Sequence, residues 1–448
     1  MTLPIRAALA LVGLLSLSTP AVADLDSFVQ KPDPSFAWST VETQAIGGLK
    51  AHQLKLTSQT WQGKPWTHDL QIFEPSELKY PDLMLLFITG GANKENNARF
   101  RNAVEGIALA KACGASVAVL PQVPNQPLMD GKTEDDLIAE TFLRYLATKD
   151  DDLPLLQPMV KSAVRAMDAV QEWAKKEGRP VPTKFVVSGA SKRGWTTWLT
   201  GAVDPRVAAI APMVIPTLNM KAQNKHQLET WGKYSEQIED YTKRGLLDDI
   251  DKPDRTKLWK LIDPYTYLDR LTMPKLQING TNDPYWTLDS LNLYWNDLKG
   301  PSYVLYLSNA VHNLAEHRDW AINGVGALFR HVATGKTLTS SSAEYKTVLG
   351  GDGKPQANIS VTYPAAATHP KLVNFWKAHS ETLEFRTAVW SIVATNLPPL
   401  KDVGTGFALS FPTTGNDAIF MDMLFEIDGL EYHLSTPIII YGADGKKL

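Results

Sequence analysis

The chain between about residues 50 and 335 alternates between short apolar runs and stretches with helical periodicity. Short apolar runs separated by helices favour a mostly parallel sheet covered on both faces, which is an open, doubly wound α/β architecture. The first two runs are joined only by a turn at Gly63, Lys64 and Pro65, which predicts an antiparallel start. The predicted strands are, in order, LKAHQLKLTSQTW, THDLQIFEP, LMLLFITG, ASVAVLP, KFVVSGA, VAAIAPMVI, KLQING and SYVLYLSN. Helices are predicted between them, for example over 98–112, 158–176 and 288–298.

One connection in this pattern is much longer than the others. The segment from about 217 to 270 is charged, aromatic and helix-forming, and it follows the strand that ends near Ile215. A helical insertion at this point predicts a cap over the carboxyl ends of the strands, where open α/β sheets bind ligands. The acidic run at 248–251 lacks the ligand spacing of a calcium loop, which favours a solvated turn.

The pattern changes near residue 336. The polar, glycine-containing segment 338–356 predicts a linker. The alternating residues from Ile419 to Ile427 and the Asp428-Gly429 pair then predict a hairpin. Together with LEFRTAVWSIVA before them, these strands predict a small β-sandwich domain over 336–448, after an α/β domain over 24–335.

The N-terminal residues 1–23 have the features of a secretory signal peptide. Arg6 precedes a short apolar run from Ala7 to Leu17, and Ala21-Val22-Ala23 follows it. The run is shorter than the roughly 20 residues that cross a bilayer. We expect cleavage after Ala23 and a periplasmic or secreted protein, the alternative being a buried N-terminal helix.

The composition excludes several classes of protein. The chain has 448 residues, 44% of them hydrophobic and 21% charged, which is typical of a packed globular protein. A net charge of −3 without a long basic run leaves no electrostatic footprint for nucleic acid. Cys113 is the only cysteine, so an internal disulfide is excluded, and its place at a helix end indicates a small buried hydrophobe rather than a nucleophile.

Ser191 stands where the strand KFVVSGA ends and a helical stretch begins. One interpretation is a nucleophile elbow, which holds a hydroxyl clear of the sheet on a strained turn. The other is a helix N-cap, a common position for serine. Because Gly-x-Ser is frequent by chance, this motif alone does not decide between them.

The rest of the chain favours the nucleophile. In doubly wound hydrolases the acid and the histidine follow the serine in that order, each just after a strand. Asp283 follows the strand KLQING, and His312 follows the strand YVLYLSN. Alone, Asp283 would be a turn former and His312 a surface histidine, but together they predict a triad of Ser191, Asp283 and His312. The other candidates do not directly follow the strands at which the acid and the histidine are expected: Asp289 and the histidines 52, 68, 226, 317, 331, 369, 379 and 433.

A tetrahedral intermediate also needs hydrogen-bond donors. We predict the backbone N–H of Lys192, directly after the serine, and those of Gly91 and Gly90, which follow the strand LMLLFI. The alternative for the glycines is an ordinary Gly-Gly turn. The elbow usually has a small residue two positions after the serine, where this chain has Arg193 and reaches glycine only at Gly194.

Lys192 and Arg193 bring positive charge to a helix N-terminus, which favours an acidic substrate group or an anionic transition state. Alternatively, Arg193 pairs with a carboxylate on a neighbouring helix. Tyr285 and Trp286 are predicted to shape the substrate pocket together with aromatic residues of the cap. The sequence implies no metal and no cofactor.

The N-terminus, the runs VVSGASKRGW and INGTNDPYW, the aromatic cap and the β-rich tail together resemble the PhoPQ-activated pathogenicity-related proteins. The resemblance covers nearly the whole mature chain, and it implies an exported bacterial protein with an α/β-hydrolase core and a family name that refers to a virulence regulon. The Gly-x-Ser-x-x-Gly elbow is also similar to that of glucuronoyl esterases, which place arginine directly after the serine. Here Lys192 has that position and the acid follows a later strand. The substrate of the glucuronoyl esterases is therefore not transferred to this chain.

We therefore expect an exported serine hydrolase that cleaves an ester or amide through an acyl-enzyme, with a carboxylic ester ahead of a peptide. An aminopeptidase would need a carboxylate to hold a free amine, for which the cap offers Glu229 and Glu236. A non-catalytic binding protein on a hydrolase scaffold, linked to virulence or antimicrobial-peptide resistance, is the alternative outside enzymes. The expected partner is a small-molecule or peptide substrate, without nucleic acid or stable membrane insertion, and the oligomeric state is left open.

Overall fold

The computed structural model describes residues 24–93, 99–248, 250–339, 341–364, 368–396, 406–442 and 444–448, so the predicted signal peptide lies outside the described residues. The strands are β1 (Ala37–Ile46), β2 (Leu49–Trp61), β3 (Lys64–Glu74), β4 (Leu83–Ile88), β5 (Val117–Leu120), β6 (Lys184–Ala190), β7 (Val207–Met213), β8 (Lys275–Gly280), β9 (Ser302–Leu307), β10 (Ser342–Leu349), β11 (Pro355–Thr362), β12 (Leu372–Ser380), β13 (Ser391–Thr395), β14 (Gly406–Pro412), β15 (Asn416–Ile427), β16 (Leu430–Ser435) and β17 (Ile439–Tyr441). The helices are α1 (Leu25–Gln30), α2 (Ala103–Cys113), α3 (Glu134–Thr148), α4 (Leu156–Lys176), α5 (Lys192–Val203), α6 (Met220–Trp231), α7 (Glu239–Thr242), α8 (Pro253–Ile262) and α9 (Arg318–Thr334).

One large sheet organises the fold. Its strand order is β1-β2-β3-β5-β4-β6-β7-β8-β9-β16-β15-β12-β13, and β17 pairs with β15. The pairs β1–β2, β2–β3 and β3–β5 are antiparallel. The next strands across the sheet, β5, β4, β6, β7, β8 and β9, pair parallel with one another. This topology confirms the predicted α/β-hydrolase fold with an antiparallel start.

The central strands are apolar on both sides because helices cover both faces of the sheet. In β6, Phe185 and Val187 pack into one hydrophobic core, whereas Val186 packs into the other. Helices α2 and α9 border the second core, and α4 and α5 border the first. The carboxyl ends of the parallel strands are thereby held in a fixed row.

The C-terminal segment forms antiparallel strands in two sheets. β16 continues the large sheet beside β9, where Ser435 pairs with Val304, and β10, β11 and β14 form a separate three-stranded sheet. Ile359 of the small sheet shares a hydrophobic core with Phe375 and Met421 of the large one, as in a sandwich. The predicted hairpin is confirmed as β15 and β16.

Two local predictions were wrong. The segment 338–356, predicted as a linker, contains β10, whose partly buried Ala343 and Tyr345 alternate with exposed Glu344 and Lys346. This alternation is a strand signal, but the polar, glycine-containing composition of the whole segment outweighed it. The helix predicted over 288–298 is instead two 3₁₀ turns, at Ser290–Leu293 and Trp295–Asp297. Tyr294 interrupts them at a φ of −146°, and its buried hydroxyl donates a 2.5 Å hydrogen bond to Gln277.

The insertion after β7 carries α6, α7 and α8, as the cap prediction required. The buried carboxylate of Asp263 closes this insertion by accepting hydrogen bonds from the backbone N–H groups of Asn219, Met220 and Tyr265. Burial raises the pKa of Asp263 to about 6, against the effect of those three hydrogen bonds. Within the described ranges, no helix is both long and apolar enough to cross a membrane.

Candidate active site

Ser191 occupies a strained turn between β6 and α5. Its φ is 59° and its ψ is −127°, and a non-glycine residue at positive φ costs free energy that the surrounding structure must offset. The serine side chain makes no hydrogen bond to the helix N-terminus, so it does not act as an N-cap. These dihedral angles are those of a nucleophile elbow rather than of an ordinary cap.

Two glycines allow this turn. A Cβ on Gly194 would lie 2.9 Å from the carbonyl oxygen of Met213 and 3.0 Å from that of Gly189. A Cβ on Gly189 would lie 2.9 Å from the carbonyl oxygen of Arg193. Strand and helix therefore approach each other closely at Gly194, one position later than in the usual elbow.

Asp283 and His312 lie together beyond neighbouring parallel strands. The Nδ1 atom of His312 is 2.7 Å from Oδ2 of Asp283, whose Oδ1 accepts a 2.9 Å hydrogen bond from the backbone N–H of Tyr285. The Tyr285 ring stacks on the imidazole with 4.1 Å between ring centroids. These contacts orient the histidine ring from its edge and from its face.

The Nε2 atom of His312 is buried and has no hydrogen-bond partner among the described residues. It is therefore not bonded to the Ser191 hydroxyl in this conformation. Hydrogen bonds between catalytic groups are often long in the free enzyme and shorten in the substrate complex. The structure thus brings Asp283 and His312 into contact and places Ser191 at the same end of the sheet, without joining the serine to the histidine.

A network of two cations and two carboxylates surrounds the elbow. Arg193 is buried, donates 2.8 Å hydrogen bonds to both carboxylate oxygens of Glu134, and donates from Nε to the Val123 carbonyl at 2.5 Å. The Lys192 Nζ atom lies 3.0 Å from Glu134 and 3.0 Å from Asp135. Burial acts to raise the pKa of Glu134, but the hydrogen bonds and charge of Arg193, with the charge of Lys192, lower it to about 2. Arg193 thus has the carboxylate partner that the alternative interpretation required, and it does not line the cavity beside Ser191.

The predicted oxyanion donors lie around the same turn. β4, which precedes Gly90 and Gly91, is the direct neighbour of β6, and a Cβ on Gly90 would collide with the guanidinium of Arg193. Gly91 has a φ of 118°, which side chains rarely allow. Lys192 is the first residue of α5, so its N–H has no acceptor within the helix.

Arg101 was not singled out from the sequence, and it lies against the loop that carries Gly90 and Gly91. A Cβ on Gly91 would be 2.5 Å from Nη2 of Arg101, and that nitrogen is buried without a hydrogen-bond partner in the described part of the chain. Arg101 falls in the segment predicted as the helix over 98–112, where an arginine ordinarily faces solvent. Glu105 follows four residues later, at the spacing of a helical ion pair, so the sequence carried no signal that Arg101 turns inward. In the structure Glu105 pairs with Arg318 instead.

A cavity of ≈ 60 Å³ opens beside Ser191. Lys192 and Asp135 form its polar wall, and Tyr241 donates a 2.9 Å hydrogen bond to Asp135. The predicted pocket residues Tyr285 and Trp286 line this cavity. The remaining lining residues are mostly apolar and come from α5, the strand end after β7 and the cap: Trp195, Ile215, Thr217, Met220, Gln223, Asn224, Ile238, Leu247 and Trp259.

Other residues named from the sequence have no place in this cavity. Glu229 pairs with Lys225, and Glu236 pairs with Lys233 and Arg386. Cys113 is buried at the end of α2, and burial raises the pKa of its thiol, as expected for a structural cysteine. Across the described ranges, no three His, Cys, Asp or Glu side chains gather as metal ligands do.

The strained serine after β6, with a carboxylate and a histidine after β8 and β9, defines a protein of the α/β-hydrolase class. Residues 25–386 match the family model described as PhoPQ-activated pathogenicity-related protein. The chain belongs to this family, which confirms the resemblance of its motifs.

The chain is also similar to a named relative and to solved structures. Autocrine proliferation repressor protein A of Dictyostelium discoideum is 33% identical over 380 residues, which cover 82% of this chain and 75% of that protein. An acetyl xylan esterase from Paenibacillus sp. R4 aligns with a TM-score of 0.46 and 14% identity over 68% of this chain and 92% of its own. A glucuronoyl esterase from Solibacter usitatus aligns with a TM-score of 0.40 and 11% identity, covering 66% and 87% respectively.

Proposed function

We propose that the protein is an exported serine hydrolase that cleaves carboxylic esters through a Ser191, His312 and Asp283 triad. The observation that carries this proposal is the strained φ of Ser191 on a turn that the serine does not cap. The contact of His312 with Asp283 supports it, because a nucleophilic serine needs a base that is oriented by a carboxylate.

The chemistry follows from these positions. Ser191 Oγ attacks the carbonyl carbon while His312 Nε2 accepts the hydroxyl proton, which then passes to the leaving oxygen as the ester bond breaks. A water molecule attacks the acyl-enzyme in the same way and releases the acid. Asp283 stabilises the imidazolium, and the N–H groups of Lys192 and Gly91 bind the oxyanion, each contributing about 3 kcal/mol of barrier reduction.

The charge balance of the cavity supports an ester over a peptide N-terminus. Asp135 is already paired with Lys192 and accepts a hydrogen bond from Tyr241. A substrate ammonium group would therefore have to displace Lys192 in order to reach this carboxylate. An apolar cavity with compensated charges suits a neutral acyl or alcohol group better than an amine.

An aminopeptidase is the second candidate because Asp135 lines the cavity beside Ser191. Paired substrates separate the two activities: p-nitrophenyl esters of neutral acids, and aminoacyl p-nitroanilides with a free or an acetylated amine. The ester proposal requires faster cleavage of the esters and no preference for the free amine. A strong preference for the free amine would instead support the peptidase.

The test of the triad is labelling of the purified protein with a fluorophosphonate probe. We expect labelling of the wild type and its loss in Ser191→Ala and His312→Ala, with circular dichroism spectra unchanged. His317→Ala is the matched control, because this histidine also precedes α9 but contacts Trp320 rather than Asp283. A folded wild type without labelling would contradict the proposal and would favour a binding protein on a hydrolase scaffold.

A further inference from the structure

Asn282 and Asn309 each bind the same distant loop. This loop, residues 381–390, connects β12 to β13 in the C-terminal segment, and we refer to it as the β12–β13 loop. Asn282 is adjacent to Asp283, and Asn309 precedes His312 by three residues. The loop therefore meets the chain at both of the points from which the proposed acid and base project.

The contacts are direct hydrogen bonds between side-chain amides and backbone. The Nδ2 atom of Asn282 donates to the carbonyls of Ala388 at 2.8 Å and Arg386 at 3.2 Å. Asn309 accepts a 2.8 Å hydrogen bond from the Trp390 N–H and donates a 3.1 Å bond back to its carbonyl. A side chain that satisfies both backbone groups of one residue fixes that residue in distance and in direction.

The acid and base loops are also joined to one another. The backbone N–H of Asn282 donates to the carbonyl of Ala310 at 3.0 Å, and that of Asn309 donates to the Thr281 hydroxyl at 2.8 Å. A Cβ on Gly280 would collide with the carbonyl of Ala310, so this contact requires glycine at the end of β8. A displacement of the β12–β13 loop would therefore reach Asp283 and His312 together.

The loop itself is firmly anchored. Phe385 and Trp390 are both 2% exposed, and the Trp390 ring packs edge-on against Phe420 of β15 at 5.2 Å. One buried aromatic ring in the middle of the loop and one at its end hold it against the large sheet, which makes it a rigid support.

The same loop reaches the cap. The Arg386 guanidinium lies 4.4 Å from the ring centroid of Trp231 and pairs with Glu236 at 3.0 Å. Next to this contact, the cap residue Ser235 donates a 2.7 Å hydrogen bond to the carbonyl of Pro284, directly after Asp283. The cap, the acid loop and the C-terminal segment thus meet at one place.

We infer that the β12–β13 loop is a positioning element of the catalytic site: Asn282 and Asn309 fix the acid and base loops on it, and Arg386 joins it to the cap. This inference rests on the proposed function. It predicts that the C-terminal segment acts on the rate of the chemical step although it supplies no catalytic group.

The test compares two asparagines that make the same kind of contact. Asn292 donates a 2.8 Å hydrogen bond to the carbonyl of Ile438, so it also joins the segment after β8 to the C-terminal segment, but away from the acid and base. We expect Asn282→Ala to lower kcat for a p-nitrophenyl ester about 10-fold or more with KM nearly unchanged, because small displacements of catalytic groups are costly. Asn292→Ala should leave kcat within about twofold of the wild type, since its loss moves no catalytic group.

Arg386→Ala probes the contact with the cap. We expect KM for a bulky ester to rise about fivefold, the cost of a cation–π contact and a partly exposed ion pair. Lys233→Ala is its control, because Lys233 pairs with the same Glu236 but does not touch the loop. An Arg386→Ala variant with the wild-type KM would show that the loop does not act on the cap.

Fluorophosphonate labelling separates the failure of this inference from that of the proposed function. A folded wild type that is not labelled overturns both. A labelled wild type with an unchanged kcat in Asn282→Ala, or with equal losses in Asn282→Ala and Asn292→Ala, overturns the inference alone. If Asn282→Ala does not fold, Asn309→Asp gives the same comparison, since aspartate keeps the acceptor for Trp390 and tolerates the φ of 57° at this position.

Discussion

Arg193 donates one hydrogen bond to each carboxylate oxygen of Glu134, and both N···O distances are 2.8 Å. Glu134 is the first residue of α3 and has a φ of 51°, so the pair holds a strained residue in place. Because Arg193 follows Ser191 by two positions, this ion pair fastens the elbow to α3. A bidentate arginine pair is directional, and it therefore fixes orientation as well as distance.

Replacement of Glu134 by glutamine removes the carboxylate partner of Arg193 and leaves Lys192 paired with Asp135 alone. We expect Glu134→Gln to lower the free energy of unfolding by about 2 kcal/mol, reduced from the value for a fully buried pair because the Glu134 side chain is 39% exposed. Urea unfolding measures this change. Glu140→Gln, which breaks a 2.8 Å pair with the partly exposed Arg144 on the same helix, is the control and should cost less than about 0.5 kcal/mol. Equal losses in the two variants would contradict the structural role of the buried pair.

The stacking of Tyr285 on His312 predicts a role of the ring rather than of the hydroxyl. We expect Tyr285→Ala to slow fluorophosphonate labelling about 10-fold, because the imidazole loses the surface that orients it. Tyr285→Phe keeps the ring and should label at the wild-type rate. If both variants are slowed equally, the hydroxyl is responsible and the stacking is not.

The close contact at Gly194 predicts that the elbow does not tolerate a methyl group there. Gly194→Ala would place Cβ 2.7 Å from Cγ2 of Ile215 and 2.9 Å from a carbonyl oxygen, so the turn must shift. We expect a lower Tm and loss of labelling, with an overpacking cost of about 1–3 kcal/mol. Gly351→Ala, where the new Cβ would meet no described atom within 4 Å apart from its chain neighbours, should match the wild type in both measurements. Normal labelling of Gly194→Ala would mean that the elbow relaxes without penalty.

The buried imidazole of His68 should make the protein less stable in mild acid. Burial lowers the pKa of its imidazole to about 4, and the ring contacts the hydroxyl of Ser58 and the carbonyl of Pro121, both at 3.0 Å. The pKa of histidine in an unfolded chain is about 6.5. As the pH falls from about 6.5 to 4, the unfolded state therefore binds a proton at this histidine that the folded state does not bind. This difference lowers the free energy of unfolding by about 2 kcal/mol at pH 5.

Urea unfolding of the wild type and of His68→Gln at pH 7 and pH 5 measures this effect. The difference between the two pH values should be about 2 kcal/mol smaller in the variant, because glutamine does not titrate. An identical pH dependence in both proteins would assign the acid sensitivity to other groups.

The sequence was most informative where a local pattern determines the structure. The runs KFVVSGA and KLQING match β6 and β8 residue for residue, because a buried parallel strand is apolar on both faces and ends abruptly at a turn. The same strand ends placed Asp283 and His312 at neighbouring positions, and these two residues are in contact. That prediction used only the order of the strands along the chain.

Contacts between distant parts of the chain were not predictable in this way. The partner of Arg193 is Glu134, whose left-handed φ follows from tertiary contacts with Gln126 and Arg193 rather than from its own preference. The hydrogen bond from Asn282 to Ala388 joins segments with no common pattern. Periodicity reports which side of an element is buried, but it does not report what lies opposite.

The pairing of Ser435 with Val304 places one of the last strands of the chain against β9, the final strand of the parallel series. The sheet therefore cannot be completed until nearly the whole chain is available, and pairing over such a long separation is a slow step of folding. A chain shortened to about residue 335 would leave β9 with free N–H and C=O groups along its outer side. Exposed strand edges of this kind recruit other chains, so the shortened protein is expected to aggregate rather than to behave as a minimal enzyme.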